Sequence, residues 1–271
     1  MSEQEKQAAI AKLQAQGCRR WMTLLIIAPV FICAILTLIA PMIQNNLARR
    51  EANELCQSLP QQFEAVHQDT IWQIDGFTGE ALITVDTIGQ MVLFGETTLE
   101  TPVTRRDNFP AILHPDGNYS IYAEYRPSYS TRFFICDNNE ALGAFTADET
   151  AGDMAFNPDG TVFAISEGRQ GQIRIFDAVA IEEIRKIDIH GTASGYRHID
   201  SLAFHPTEPL LFFTSEDELF VYETANFTEL LWQPIFETQA HEIGFNADGS
   251  LFFMSSHLTD ATTYVWGVRD N

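Results

Sequence analysis

The stretch "FNPDGTVFAISEGRQGQIRIFD", Phe156 to Asp177, decides the fold. It holds a Pro-Asp-Gly turn between an apolar strand end and the alternating segment "TVFAIS", then a looser connection, then a third segment closing on an aromatic and an acid. Sliding it along the chain finds its opening again as "WQIDG" at Trp72, "LHPDG" at Leu113, "FHPTE" at Phe204 and "FNADG" at Phe245. The starts lie 41, 43, 48 and 41 residues apart. Its close recurs as "MVLFG", "FFICD", "LFVYE" and "TYVWG". Between each close and the next turn there is room for a fourth strand, as in "ALGAFTAD" and "EEIRKIDI". Four antiparallel strands at a period of about 40 to 45 residues is the arithmetic of a propeller blade.

The repeats resemble those of WD-type β-propellers, and their Pro-Asp-Gly turns are similar to those of Tol-type propellers. The resemblance covers about Thr70 to Val268 and implies an all-β fold of about five four-stranded blades, in a propeller domain of residues 70–271. It places Phe94, Cys136, Phe176, Tyr222 and Trp266 at the Trp position of the WD pair. Gly95, Asp137, Asp177, Glu223 and Gly267 take the Asp position, and Gly76, Gly117, Gly160 and Gly249 the turn. The Gly-His dipeptide that opens such repeats is missing; only His198 and His241 come near it.

The last copy ends at "VWGVRDN" without an outermost strand of its own. Either upstream residues such as Phe63 to His67 supply that strand, or the blade stays three-stranded, or the arc is completed by another subunit.

Upstream of the repeats the chain changes character. "WMTLLIIAPVFICAILTLIAPMI", Trp21 to Ile43, runs 23 residues without an acid, base or histidine. That is long enough to span a bilayer core of about 30 Å as a helix, and the segment is expected to be a signal-anchor rather than a cleaved leader. Residues 1–20 form a basic tail with Lys6, Lys12, Arg19 and Arg20, and residues 44–69 a membrane-proximal helical linker. Lys and Arg near the two ends favour a cytoplasmic N-terminus and an extracytoplasmic propeller.

Over its 271 residues the chain carries a formal charge of −21. A phosphate backbone requires Lys and Arg, so nucleic acid is excluded as a partner. No zinc, P-loop, nucleophile-elbow or calcium-loop pattern occurs, and no catalytic residue, metal or cofactor is expected. Ser194, His198 and Asp200 are close only along the chain, which gives no triad geometry. His114 and His205 share one repeat position and are expected to stabilise turns. Cys136 sits in the aromatic column, buried between blades, so a bond to Cys56 is not expected.

One positional signal remains. Asp153, Asp200 and Glu242 stand three or four residues before their strand-end aromatics, where an acidic cluster at a channel mouth could attract a cation or basic peptide. The expected function is a non-enzymatic, membrane-anchored interaction scaffold or accessory subunit. Its partners would be other proteins of a membrane complex, with homo-oligomerisation open. The alternative is a hydrolase or ligand- or cation-binding sensor with a site in the central channel.

Overall fold

The computed structural model describes residues 49–57, 77–98, 111–126, 130–137, 140–147, 150–167, 171–189, 198–215, 218–234, 242–255 and 262–269. The expected span 21–43, residues 63–67 and Gly76 lie outside them. Among the described residues no helix is long and apolar enough to cross a membrane.

The described residues form sixteen strands in four four-stranded antiparallel sheets. Sheet 1 holds β2 (Ala111–Leu113), β3 (Ser120–Tyr125), β4 (Thr131–Asp137) and β5 (Glu140–Ala147). Sheet 2 holds β6 (Ala151–Phe156), β7 (Val162–Glu167), β8 (Gln172–Asp177) and β9 (Glu183–Asp188). Sheet 3 holds β10 (Ile199–Phe204), β11 (Leu210–Ser215), β12 (Glu218–Glu223) and β13 (Thr228–Pro234). Sheet 4 holds β14 (Glu242–Phe245), β15 (Leu251–Ser255), β16 (Thr262–Val268) and, on its outside, β1 (Met91–Thr98). The first strands β2, β6, β10 and β14 lie side by side in that order, which is the blade arrangement of a β-propeller.

The middle strands are apolar on both faces because each sheet is packed on both sides. In β7, Phe163 and Ile165 face the junction of sheets 1 and 2, while Ala164 faces that of sheets 2 and 3. In β11, Leu211 and Phe213 face sheet 2, and Leu210 and Phe212 face sheet 4. This is the two-residue period of a strand read out on two faces. Phe133, Phe163, Phe212, Phe213 and Phe252 are fully buried, each contributing on the order of 2 kcal/mol.

The expectation of about five blades is corrected to four sheets among the described residues. "MVLFG" is not the third strand of a first blade; it lies in β1, the outermost strand of sheet 4, paired with β16 from Met91↔Val268 to Thr98↔Thr262. Upstream residues do complete the last sheet, and the strand they supply is Met91–Thr98. A recurrent bulge identifies β1 as an outermost strand. In sheets 1, 2 and 3 the outermost strand carries one extra residue, Leu142, Ile184 or Leu230, opposite the third strand's aromatic column, and β1 carries Phe94 at the matching place.

Residues 49–57 are helical, and from Ala52 onward the chain belongs to the same compact unit as the sheets, so residues 52–57 are not part of a free linker. Ala52 and Cys56 are buried with Tyr122, Phe134, Cys136 and Ala141 on the outward face of sheet 1. The backbone N–H of Ala141 donates to Asn53 Oδ1 at 2.8 Å. Cys56 and Cys136 form a disulfide, their Cα atoms 5.5 Å apart, against expectation. Elsewhere in this column Phe176, Tyr222 and Trp266 all face the preceding sheet. For Cys136 the same face meets no preceding sheet among the described residues, and helical residues 52–56 pack there.

Candidate functional site

Gly117, Gly160 and Gly249 lie in the turns that follow β2, β6 and β14. Gly117, Gly160 and Gly249 have φ of 76°, 71° and 76°, a conformation that costs other residues about 1–2 kcal/mol. Each turn is closed by an N–H to carbonyl bond, from Gly117 to His114, Gly160 to Asn157 and Gly249 to Asn246. The turn aspartates accept the N–H two residues on: Asp116 from Asn118, Asp159 from Thr161 and Asp248 from Ser250. Hydrogen bonds from Thr161 hold the Asp159 carboxyl below its ordinary range, and those from Ser250 do the same for Asp248. Asp137 closes β4, and Asp177 caps the turn after β8 by accepting the N–H groups of Val179 and Ala180. Phe94 and Gly95 are the exceptions in their columns, standing in β1.

The three acids do come onto neighbouring first strands: Asp153 on β6, Asp200 on β10 and Glu242 on β14. Asp153, however, works between sheets. Its Oδ2 accepts from Ser201 Oγ at 2.8 Å and from the Leu202 N–H at 2.9 Å, and its Oδ1 from the Met154 N–H. Ser201 Oγ in turn accepts the Ile243 N–H at 3.3 Å, so one chain of bonds links three first strands. Asp200 is the bulged residue of β10 and pairs with His198, Nδ1 to Oδ1 3.3 Å. Among the described residues no group of His, Cys, Asp and Glu is arranged to hold a metal.

At the opposite, Pro-Asp-Gly end, the sheets are joined by histidines. His114 donates Nε2–H to the Gly160 carbonyl at 2.9 Å, and its ring meets Tyr119 and Phe156 at centroid distances of 4.6 and 5.1 Å. His205 donates likewise to Gly249 at 2.9 Å and meets Phe245 at 4.8 Å. Between sheets 2 and 3 the pattern fails: Asn157 stands at the histidine position and Glu208 at the glycine position. A cleft of about 440 Å³ opens there, lined by Asn157, Pro158, Asp159, Phe204, Pro206, Thr207, Glu208, Pro209 and Thr224. None of these residues was singled out as a site from sequence. The available signal was "FHPTEP" at Phe204, the one copy whose turn lacks Asp-Gly.

The sequence matches no family model and no curated relative. Among solved structures the chain is similar to the Dos1 propeller, at 12% identity and a TM-score of 0.48, over 59% of this chain and 41% of that one. It is similar also to a chain of the mitotic checkpoint complex, at 18% identity and a TM-score of 0.48, over 59% of this chain and 50% of the other. The chain spans half or less of the length of either.

Proposed function

We propose that this protein is a membrane-anchored interaction module, a scaffold or accessory subunit that holds a rigid acidic propeller at a bilayer surface. The observation that carries this reading is the clasp of residues 52–57 onto sheet 1. Cys56 is 1% exposed and covalently joined to Cys136, and Asn53 takes the β5 backbone. Residues 52–57, which lie after the apolar stretch 21–43 in sequence, are thereby joined to a blade. Buried disulfides belong to oxidising compartments, which supports an extracytoplasmic propeller and an N-terminus inside.

Purification of the full chain from its native membrane in mild detergent, with mass and composition of what co-migrates, tests the reading. Membrane proteins in fixed ratio are the expected result; a lone monomer at every detergent concentration overturns it.

A further inference from the structure

Three sheet junctions carry one device twice and lack it once. At the first and third, a histidine ring from one turn lies against the strand-end phenylalanine of the next sheet, Phe156 or Phe245, and bonds the next turn's glycine carbonyl. At the middle junction Asn157 cannot reach across, because its amide is folded into its own turn. Oδ1 accepts the Val162 N–H at 2.9 Å, and Nδ2 donates to Thr161 Oγ1 at 3.1 Å. The place of the missing ring is the cleft, and Phe204, the counterpart of Phe156 and Phe245, lines it.

We propose that this cleft receives an arginine side chain from a partner protein. The inference rests on the reading of the chain as an interaction module and names the group that module takes. Phe204 offers the same aromatic surface that holds imidazoles at the sister junctions, and a planar cation stacks on such a surface. Asp159 and Glu208 contribute one carboxylate from each side of the cleft, acceptors for a donor-only guanidinium. Hydrogen bonds from Thr161 keep Asp159 ionised across the physiological range. Pro158, Pro206 and Pro209 supply stiff walls without backbone donors that would compete for those acceptors. The volume is that of a small-ligand pocket, and a net charge of −21 draws basic partners toward the surface.

The test uses the full-length protein in detergent and N-acetyl-L-arginine amide as probe, followed by saturation-transfer NMR. Binding at about millimolar strength is expected, as suits one side chain. Asn157→His places a ring in the cleft and is expected to weaken the probe at least tenfold; because Glu208 carries the Cβ that Gly160 and Gly249 lack, no bond across this junction is expected. Glu208→Gln, which leaves the turn intact, is expected to weaken it severalfold. A neutral N-acetyl-norleucine amide is expected not to bind. Equal binding to the Asn157→His variant, equal binding of the neutral probe, or no arginine binding overturns the proposal. Each of those results leaves co-purification of partners unaffected, so failure here is distinct from failure of the interaction reading.

Discussion

The imidazole of His205 donates its Nε2–H to the carbonyl oxygen of Gly249 on the next sheet, and its Nδ1 accepts the N–H groups of Glu208 and Thr207 at 3.0 and 3.3 Å. Both nitrogens are therefore committed, and the ring is fixed as the neutral Nε2–H tautomer. Burial lowers its pKa from 6.5, only partly offset by the Gly249 carbonyl and the charges of Glu208 and Asp248. Because the folded-state pKa lies below the unfolded one, its contribution to stability is complete above about pH 6.5 and is lost as pH falls through the folded value. Denaturant unfolding of the wild type is expected to weaken from pH 7 to 5. His205→Gln should be less stable at pH 7 by about 2 kcal/mol and should flatten that slope; an unchanged slope refutes the assignment. The turn carboxylates Asp116, Asp159 and Asp248, all lowered, act below this window.

The turn glycines make a graded series. Each has positive φ, but an added Cβ at Gly117 would meet nothing, whereas at Gly160 it would overlap the ring of His114 and at Gly249 that of His205. Gly117→Ala is expected to cost about 1–2 kcal/mol from the backbone alone. Gly160→Ala and Gly249→Ala should cost clearly more, since a histidine bridge between sheets is also displaced. Unfolding midpoints of the three variants decide it, and equal losses would show that the histidines bear no load.

The Cys56–Cys136 disulfide closes a separation of 80 residues. Loop-closure entropy places its contribution at about 4.5 kcal/mol, as an upper figure for a loop of that length. The chain has four cysteines, the others being Cys18 and Cys33 in its first 43 residues. Alkylation of the denatured protein from native membranes is expected to label two thiols without reductant and four with it. Four labelled at once would remove both the clasp and its argument for an oxidising compartment. Replacing Cys56 and Cys136 by serine should lower the melting temperature and leave the four sheets intact by circular dichroism.

What could be read from the sequence was local. Pro-Asp-Gly favours a residue at positive φ, and Gly117, Gly160 and Gly249 show it; a continuous apolar run such as "VFAI" suits a strand buried on both faces, as β7 is. What could not be read was decided by pairing at a distance. "MVLFG" has the pattern of a third strand, and only its bonding to β16 makes it an outermost one. The aromatic column puts Cys136 between blades, whereas the outward face of sheet 1 packs on Ala52 and Cys56, a pairing that no local pattern shows. The cleft was visible in principle as a break in a column, Asn157 opposite Glu208 where His faces Gly elsewhere. A missing partner, though, becomes a cavity only once the two turns are known to touch. Asp153, Asp200 and Glu242 lie on neighbouring first strands, but the partners of Asp153 include a hydroxyl and a backbone N–H of the adjacent sheet, which no spacing rule reveals.

Those partners give the acidic end its own prediction. If Asp153 is the tie between β6 and β10, its loss should be felt through Ser201, which both donates to Asp153 and accepts from Ile243. Asp153→Asn keeps one acceptor but turns an amide N–H₂ toward a backbone donor, and is expected to cost about 1–3 kcal/mol. Ser201→Ala removes links to both neighbouring strands and should cost a similar amount. Since the two share one bond, the double variant should lose less than the sum, with a coupling of about 1 kcal/mol. Strict additivity would mean that the bond contributes nothing. A wild-type melting temperature raised by added calcium or magnesium, with the rise abolished in Asp153→Asn, would return the cluster to the cation-binding role that its hydrogen bonds argue against.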